Sequence, residues 1–277
     1  MNHSSAPGEL QNKVCLIVGA TGTLGAAVTQ CFSQAGARLA LTGHATVPAA
    51  TGQQAQTLRL KLDVQSRDEV RNALQRVREE LGSLDVVVNC SGIQGPIGPA
   101  ETVDPEEWVR AVEINLFGCF YLAHAAIPIM LDQVSGKIIF FSGGGATSAR
   151  PFFSAYGAAK AAVVRLTETL AEELRDKGVQ VNAIAPGAVH SRMWNDMRTA
   201  GAAGGQRLLE ELKQMDRTGG VPPERAASLA LFLASNRSRN LSGRLISAVY
   251  DKWEEMEPRI AAIMSTEAGT LRRVPLG

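Results

Sequence analysis

Short apolar runs alternate with amphipathic stretches along most of the chain. Residues 13–18 (KVCLIV) are unbroken apolar sequence leading straight into glycines, which predicts a buried strand. Residues 23–36 place Leu24, Val28 and Phe32 at helical spacing, with Gly36 as a stop. Residues 38–42 (RLALT) and 58–62 predict two further strands, and a charge-rich helix runs from Ser66 to about Gly82. Residues 84–89 (LDVVVN) are the next strand. A helix then starts with Asp104 as cap and Pro105 in the first turn, and runs through Asn115 toward Leu131. The remaining pattern predicts a strand over 137–141 (KIIFF), a long helix over 154–177 ended by Gly178, and a strand over 179–184 stopped by Pro186 and Gly187. A helix over 222–235 and a strand over 244–249 complete it.

Strands that are apolar throughout, alternating with helices, imply a parallel sheet covered on both faces. Right-handed crossovers then give an α/β, Rossmann-type doubly wound sheet. With no repeat and no Pro/Ser-rich linker, residues 12–250 are expected to form one domain. Residues 1–11 are expected to be a flexible N-terminus and 251–277 a C-terminal tail, with a mobile segment near 188–220.

Composition narrows the function classes. The 277 residues carry a formal net charge of +1 with both signs interspersed, so there is no electrostatic footprint for nucleic acid. The most apolar stretch, residues 114–131, contains Asn115, His124 and Pro128, which reads as a buried helix rather than a membrane span. Cys15, Cys31, Cys90 and Cys119 form no C-x-x-C pair and no metal-ligand spacing with histidine, so free thiols in a reducing, cytoplasmic setting are expected, with no metal.

Two motifs carry chemistry. Gly19, Ala20, Thr21, Gly22, Thr23, Leu24 and Gly25 join the first strand to the first helix. There, glycines let backbone approach a pyrophosphate and the helix start favours its charge. Tyr156 and Lys160 lie one helical turn apart on a shared face. A free phenol titrates near pH 10, too high for efficient proton exchange near neutrality, and a neighbouring ammonium favours the phenolate.

Together with Asn89-Cys90-Ser91-Gly92, Asn115, Ser142 and Pro186-Gly187, these motifs resemble the short-chain dehydrogenase/reductase family over roughly residues 12–250. The resemblance implies an NAD(P)-dependent oxidoreductase moving hydride between a nicotinamide and an alcohol/carbonyl pair. Tyr156 would be the general acid/base, Lys160 would hold the nicotinamide ribose and lower the tyrosine pKa, and Asn115 would fix a water in a proton relay. Asn89, Ser91 and Gly92 would stand beside the adenosine, and Asp63 with Val64 would meet the adenine. Pro186, Gly187 and Val189 would lie along the nicotinamide, with Ser191 on its carboxamide. The family also implies a homo-oligomer, a tetramer or dimer, for which residues 117–131 and the alanines on the tyrosine helix are the expected contacts.

The chain departs from the family in two places. Gly143 occupies the usual position of the substrate-binding serine, and Ser142 lies one residue earlier. Either Ser142 or the backbone of the following glycines would then bind the carbonyl. Thr23 stands where this branch commonly has glycine, giving G-x-x-G-x-x-G. No Asp or Glu occurs between Gly36 and Leu62, so the acid that selects NAD is missing after the second strand. NADP(H) is therefore the expected cofactor, with Thr42, His44 and Thr46 as donors to its phosphate and NAD(H) use as the alternative. The substrate is expected to be a small alcohol or carbonyl compound. A turnover-impaired binding or scaffold protein, and an NAD(P)-retaining epimerase or dehydratase, are the competing readings.

Overall fold

In the computed structural model, which describes residues 8–44, 57–274 and 276, seven parallel strands form one sheet. In chain order these are β1 (Val14–Val18), β2 (Arg38–Gly43), β3 (Thr57–Lys61), β4 (Val86–Asn89), β5 (Gly136–Phe141), β6 (Val179–Ala185) and β7 (Leu245–Ser247). Their spatial order is β3-β2-β1-β4-β5-β6-β7. The order reverses between β1 and β4, whose register pairs Val18 with Asn89. This is the switch point at which such sheets leave a crevice outside their carboxyl ends.

Helices cover both faces, as a fully apolar sheet requires. α1 (Thr23–Gln34) lies on one side, and Val28 and Phe32, the residues expected to face inward, are fully buried there. α2 (Arg67–Leu81), α3 (Pro105–Val112), α4 (Gly118–Asp132) and α5 (Ser154–Glu173) follow. α2, α4 and α5 contribute to the core on the other face. Ser66 caps α2 by accepting from the Glu69 N–H, and Asp104 caps α3 through the Glu106 N–H.

Residues 188–220 hold two helices, α6 (Arg192–Ala200) and α7 (Gly205–Thr218). Trp194 and Met197, and Leu208, Leu212 and Met215, recur at helical spacing and bury against Phe153 in a small separate core. α8 (Pro223–Ala234) returns to the first face beside α1.

The segment after β7 packs onto the domain. Trp253 and Ile260, the latter opening α9 (Ile260–Met264), join the same core as α1 and α8. Farther on, the Leu271 N–H donates to buried Glu168 at 2.6 Å. At the other end Leu10 is fully buried and its N–H donates to the Ala35 carbonyl at 3.0 Å, while residues 1–7 lie outside the described residues.

Candidate active site

The carboxyl ends of β1, β4, β5 and β6 converge on one crevice. The glycine turn after β1 is built for close approach. A Cβ on Gly25 would lie 2.2 Å from the Gly19 carbonyl oxygen, and one on Gly19 would lie 2.9 Å from the Ser91 nitrogen. The loop after β4 therefore rests directly on the turn. Thr21, Gly22 and Thr23 remain exposed on its rim, Leu24 is half-buried, and no side chain caps α1. The N–H groups at the start of this helix are thus free of a side-chain acceptor and favour an anion.

Asn89, at the end of β4, is buried and accepts from both the Ser91 N–H (3.0 Å) and the Ser91 hydroxyl (2.6 Å). Its Nδ2 donates to Cys119 Sγ at 3.2 Å, and that thiol donates to the Asn115 carbonyl at 3.3 Å. Asn115 sits in a π-helical turn, Glu113–Phe117, between α3 and α4. Its amide donates to the carbonyls of Ala111 (2.9 Å) and Ile93 (2.8 Å), and its Oδ1 accepts from the Ile93 N–H at 3.3 Å. Here a side-chain donor reaches the i−4 carbonyl where the helix widens, a feature frequent at functional sites.

Lys160 lies on the inner face of α5 and is buried. Its Nζ donates to the Phe141 carbonyl at 2.9 Å and stands 5.6 Å from the centre of the Tyr156 ring. A Cβ on Gly92 would lie 2.7 Å from Asn115 Oδ1 and 3.6 Å from this Nζ, which brings Gly92, Asn115 and Lys160 around one space. Burial lowers the pKa of Lys160, with the thiols of Cys119 and Cys90 opposing. Tyr156 is buried as well, and burial pushes its phenol up to about 12. The charge that pulls it back is that of Arg150 rather than Lys160.

Ser142 is turned away from Tyr156. Its hydroxyl donates to the backbone carbonyl of Lys160 at 3.2 Å. Gly143 faces the tyrosine instead, and a Cβ there would lie 2.4 Å from the phenolic oxygen. The backbone N–H groups of residues 143–145 have no acceptor among the described residues.

The other sequence-derived residues lie at or beyond the carboxyl ends of β2, β3 and β6. Asp63 follows β3, accepts from the Gln65 N–H at 3.0 Å, and lies 3.6 Å from Nε2 of exposed His44. Buried Val64 packs where a Cβ on Gly118 would meet it at 2.9 Å. Pro186 follows β6, and Gly187 has φ +82 with its α-carbon against Val249 and Val221. Val189 is buried and bridges to Gly220, while Ser191 precedes α6 without a side-chain cap bond. Thr42 is buried with its hydroxyl unpartnered, and Thr46 lies outside the described residues. The chain thus supplies a glycine turn with no room for side chains at Gly19 and Gly25, a helix start without a side-chain cap and a buried lysine, which fit a dinucleotide.

Sequence reasoning missed Glu211, which pairs with Arg150, and the role of Cys119 as the bridge between Asn89 and Asn115. Gln94, in the loop after β4, is buried with Nε2 unpartnered.

The chain is similar to known proteins. The family profile for short chain dehydrogenase matches residues 13–201. The chain is 31% identical to a 3-oxoacyl-[acyl-carrier-protein] reductase of Thermotoga maritima, over 86% of this chain and 96% of the relative. It is 30% identical to a D-beta-hydroxybutyrate dehydrogenase of Rhizobium meliloti, over 85% and 96%. Among solved structures it is similar to ligand-free aldohexose dehydrogenase of Thermoplasma acidophilum, with a TM-score of 0.74, 25% identity and coverage of 87% and 94%.

The contact between Gly143 and Tyr156 yields a direct test. Gly143→Ala should displace the phenolic oxygen and, with Tyr156 as the acid/base that the family resemblance implies, lower kcat by about 10²-fold, the scale expected of a misplaced reacting group. The melting temperature should stay near that of the native chain. Unchanged kcat, measured beside thermal unfolding, contradicts the geometry.

Proposed function

The chain belongs to the short-chain dehydrogenase/reductase family and is an NAD(P)-dependent oxidoreductase acting on CH–OH and C=O groups, and from that premise we propose that it interconverts a secondary alcohol and a ketone with Tyr156 as general acid/base. The observation that carries this reading is the packing of the Tyr156 hydroxyl against the glycine run at the end of β5, beside buried Lys160. Residues 186–191 would hold a nicotinamide, which when bound would supply or accept the hydride. Tyr156 gives its proton to the carbonyl oxygen in reduction and takes it back in oxidation. Burial keeps the phenol protonated at neutral pH, which is the form reduction needs. Lys160 uses one proton on the Phe141 carbonyl and offers the others toward Gly92, where the ribose would lie. Asn115 would hold the relay water.

Because Ser142 is committed to the Lys160 carbonyl, the free N–H groups of residues 143–145 take over polarisation of the substrate oxygen. The substrate is a small alcohol or carbonyl compound. The unpartnered Gln94 amide suits a second oxygen on it.

NADP(H) is the cofactor this reading assigns. β2 ends at Gly43 without an acid, and its register pairs Gly43 with Lys61. Asp63 is already engaged by Gln65 and faced by His44. The remaining anion contacts come from Gly19, Thr21, Gly22, Thr23 and Leu24.

The same reading assigns a homotetramer. Pro105–Asp132 is by length and composition apolar enough to cross a membrane. Yet it carries the site residue Asn115, and its outward side is aromatic. Phe117 and Phe120 are 44% and 46% exposed, and Phe120 stacks on His124 at 5.7 Å. Apolar surface of this kind is covered by a second copy of the chain. The four unpaired thiols suit the cytoplasm.

Three outcomes are expected. Tyr156→Phe should keep nucleotide binding and lose turnover by about 10²–10⁴-fold, the usual contribution of general acid–base catalysis, as read from kcat and nucleotide titration. Near-native kcat removes Tyr156 from the role. kcat/KM should be higher with NADPH than with NADH, and His44→Ala should lower only the NADPH value. A preference for NADH of about tenfold overturns the assignment. Light scattering at micromolar protein should give a tetramer mass that falls in Phe120→Glu, and a monomeric native chain contradicts the oligomer.

A further inference from the structure

Arg150 is a long cation held almost completely inside the protein. Its side chain is only 10% exposed, although it belongs to a loop between β5 and α5. Its guanidinium carbon lies 3.9 Å from the centre of the Phe153 ring, and Nη2 approaches Met197 Sδ at 3.6 Å. The same Nη2 forms an ion pair with Glu211 of α7. The loop is held firmly around it. Phe152 adopts φ +70, unusual for a bulky residue, its carbonyl accepts from the Gly98 N–H at 2.9 Å, and its ring packs on Gly205.

Two consecutive glycines link this cation to the acid/base. A Cβ on Gly143 would touch the Tyr156 hydroxyl, and one on Gly144 would lie 3.4 Å from Arg150 Nη1. The phenol and the guanidinium thus rest on adjacent residues of one glycine run, neither of which carries a side chain. We propose that Arg150 is a positioning residue for proton transfer: its guanidinium, seated on the glycine run and opposed by Glu211, sets the charge felt by the Tyr156 hydroxyl. The proposal rests on Tyr156 being the acid/base.

The surrounding charges are few. On the tyrosine's own helix there is Lys160, whose Nζ is turned to the Phe141 carbonyl. The loop after β4 and the π-helical turn bring Gly92 and neutral Asn115, with the thiols of Cys90 and Cys119 behind them. α6 presents Met193 and Met197 to this region. His190, in the loop before α6, acts on Asp216. α7 supplies Glu211, which also pairs with Arg207 at 3.2 Å. Burial raises the phenol, and Arg150 is what opposes it. In a low-dielectric interior a fixed cation favours the phenolate at longer range than in water. The sign follows directly. Loss of the guanidinium raises the pH at which the phenolate needed for alcohol oxidation forms. Loss of the Glu211 charge leaves the guanidinium unopposed and lowers it.

The test is the pH profile of kcat/KM for alcohol oxidation in the cofactor-loaded native chain, R150M, R150K and E211Q. In R150M the rising limb should move up by about half to one pH unit, at the low end of effects of a neighbouring charge. R150K should stay nearer the native profile. E211Q should fall at or below it. A merely structural ion pair behaves otherwise, since either substitution breaks it and both displace the profile the same way. An R150M profile that superimposes on the native one, or an E211Q profile displaced upward, overturns the proposal. If R150M fails to fold by circular dichroism, E211Q and R150K decide by the same criteria. Y156F separates the two levels: an inactive Y156F keeps the acid/base reading when Arg150 fails, and an active one removes that reading itself.

Discussion

A buried ammonium organises this crevice. Lys160 leaves water with no carboxylate against it among the described residues, and its partner inside the protein is the carbonyl of Phe141, where β5 ends. An isolated interior charge is costly, and one carbonyl dipole answers only part of that cost. The thiols of Cys90 and Cys119 add a little, and burial still pulls the lysine down. The site is therefore short of negative charge and acceptors, the condition under which a ribose hydroxyl or a phosphate is welcome. That one bond also ties α5 to the sheet, so it sets where Tyr156 stands one turn away.

Around the lysine, polar groups are locked to backbone. Asn115 is held by Ala111 and Ile93, Asn89 by Ser91 and Cys119, and Ser142 by the Lys160 carbonyl. Most of these bonds join elements far apart in sequence, so the loops after β4 and β5 are anchored before any ligand arrives. Pre-organisation of this kind favours polar groups that need no rearrangement during reaction. The outer wall is different in character. α6 and α7 are fastened by an apolar cluster and by surface ion pairs such as Arg198 with Asp216, and exposed pairs of that type contribute little each. Arg150 is the exception, because its pair is largely dry and reaches the glycine run.

Much of this was legible in the chain itself. Apolar runs marked each of the seven strands to within a few residues, Ser66 marked the start of its helix, and Asp104 announced its own as a cap. Trp194, Met197, Leu208, Leu212 and Met215 carried a helical signal that the many glycines and polar residues of 188–220 obscured. The segment after residue 250 read as a tail because its elements are short, yet Trp253 and Ile260 complete the core over α1 and α8.

What the sequence by itself determined is whatever depends on near neighbours. Strand and helix identity, the glycine turn after β1, and Tyr156 and Lys160 on one helical face all follow from spacing along a few residues, because backbone geometry repeats over that range. Only the tertiary structure decided which way Ser142 turns, that Gly143 meets the phenol, that Cys119 links Asn89 to Asn115, and that Glu211 reaches Arg150. Those contacts join residues up to 61 positions apart. Their geometry is set by sheet register and helix packing, which no local pattern encodes.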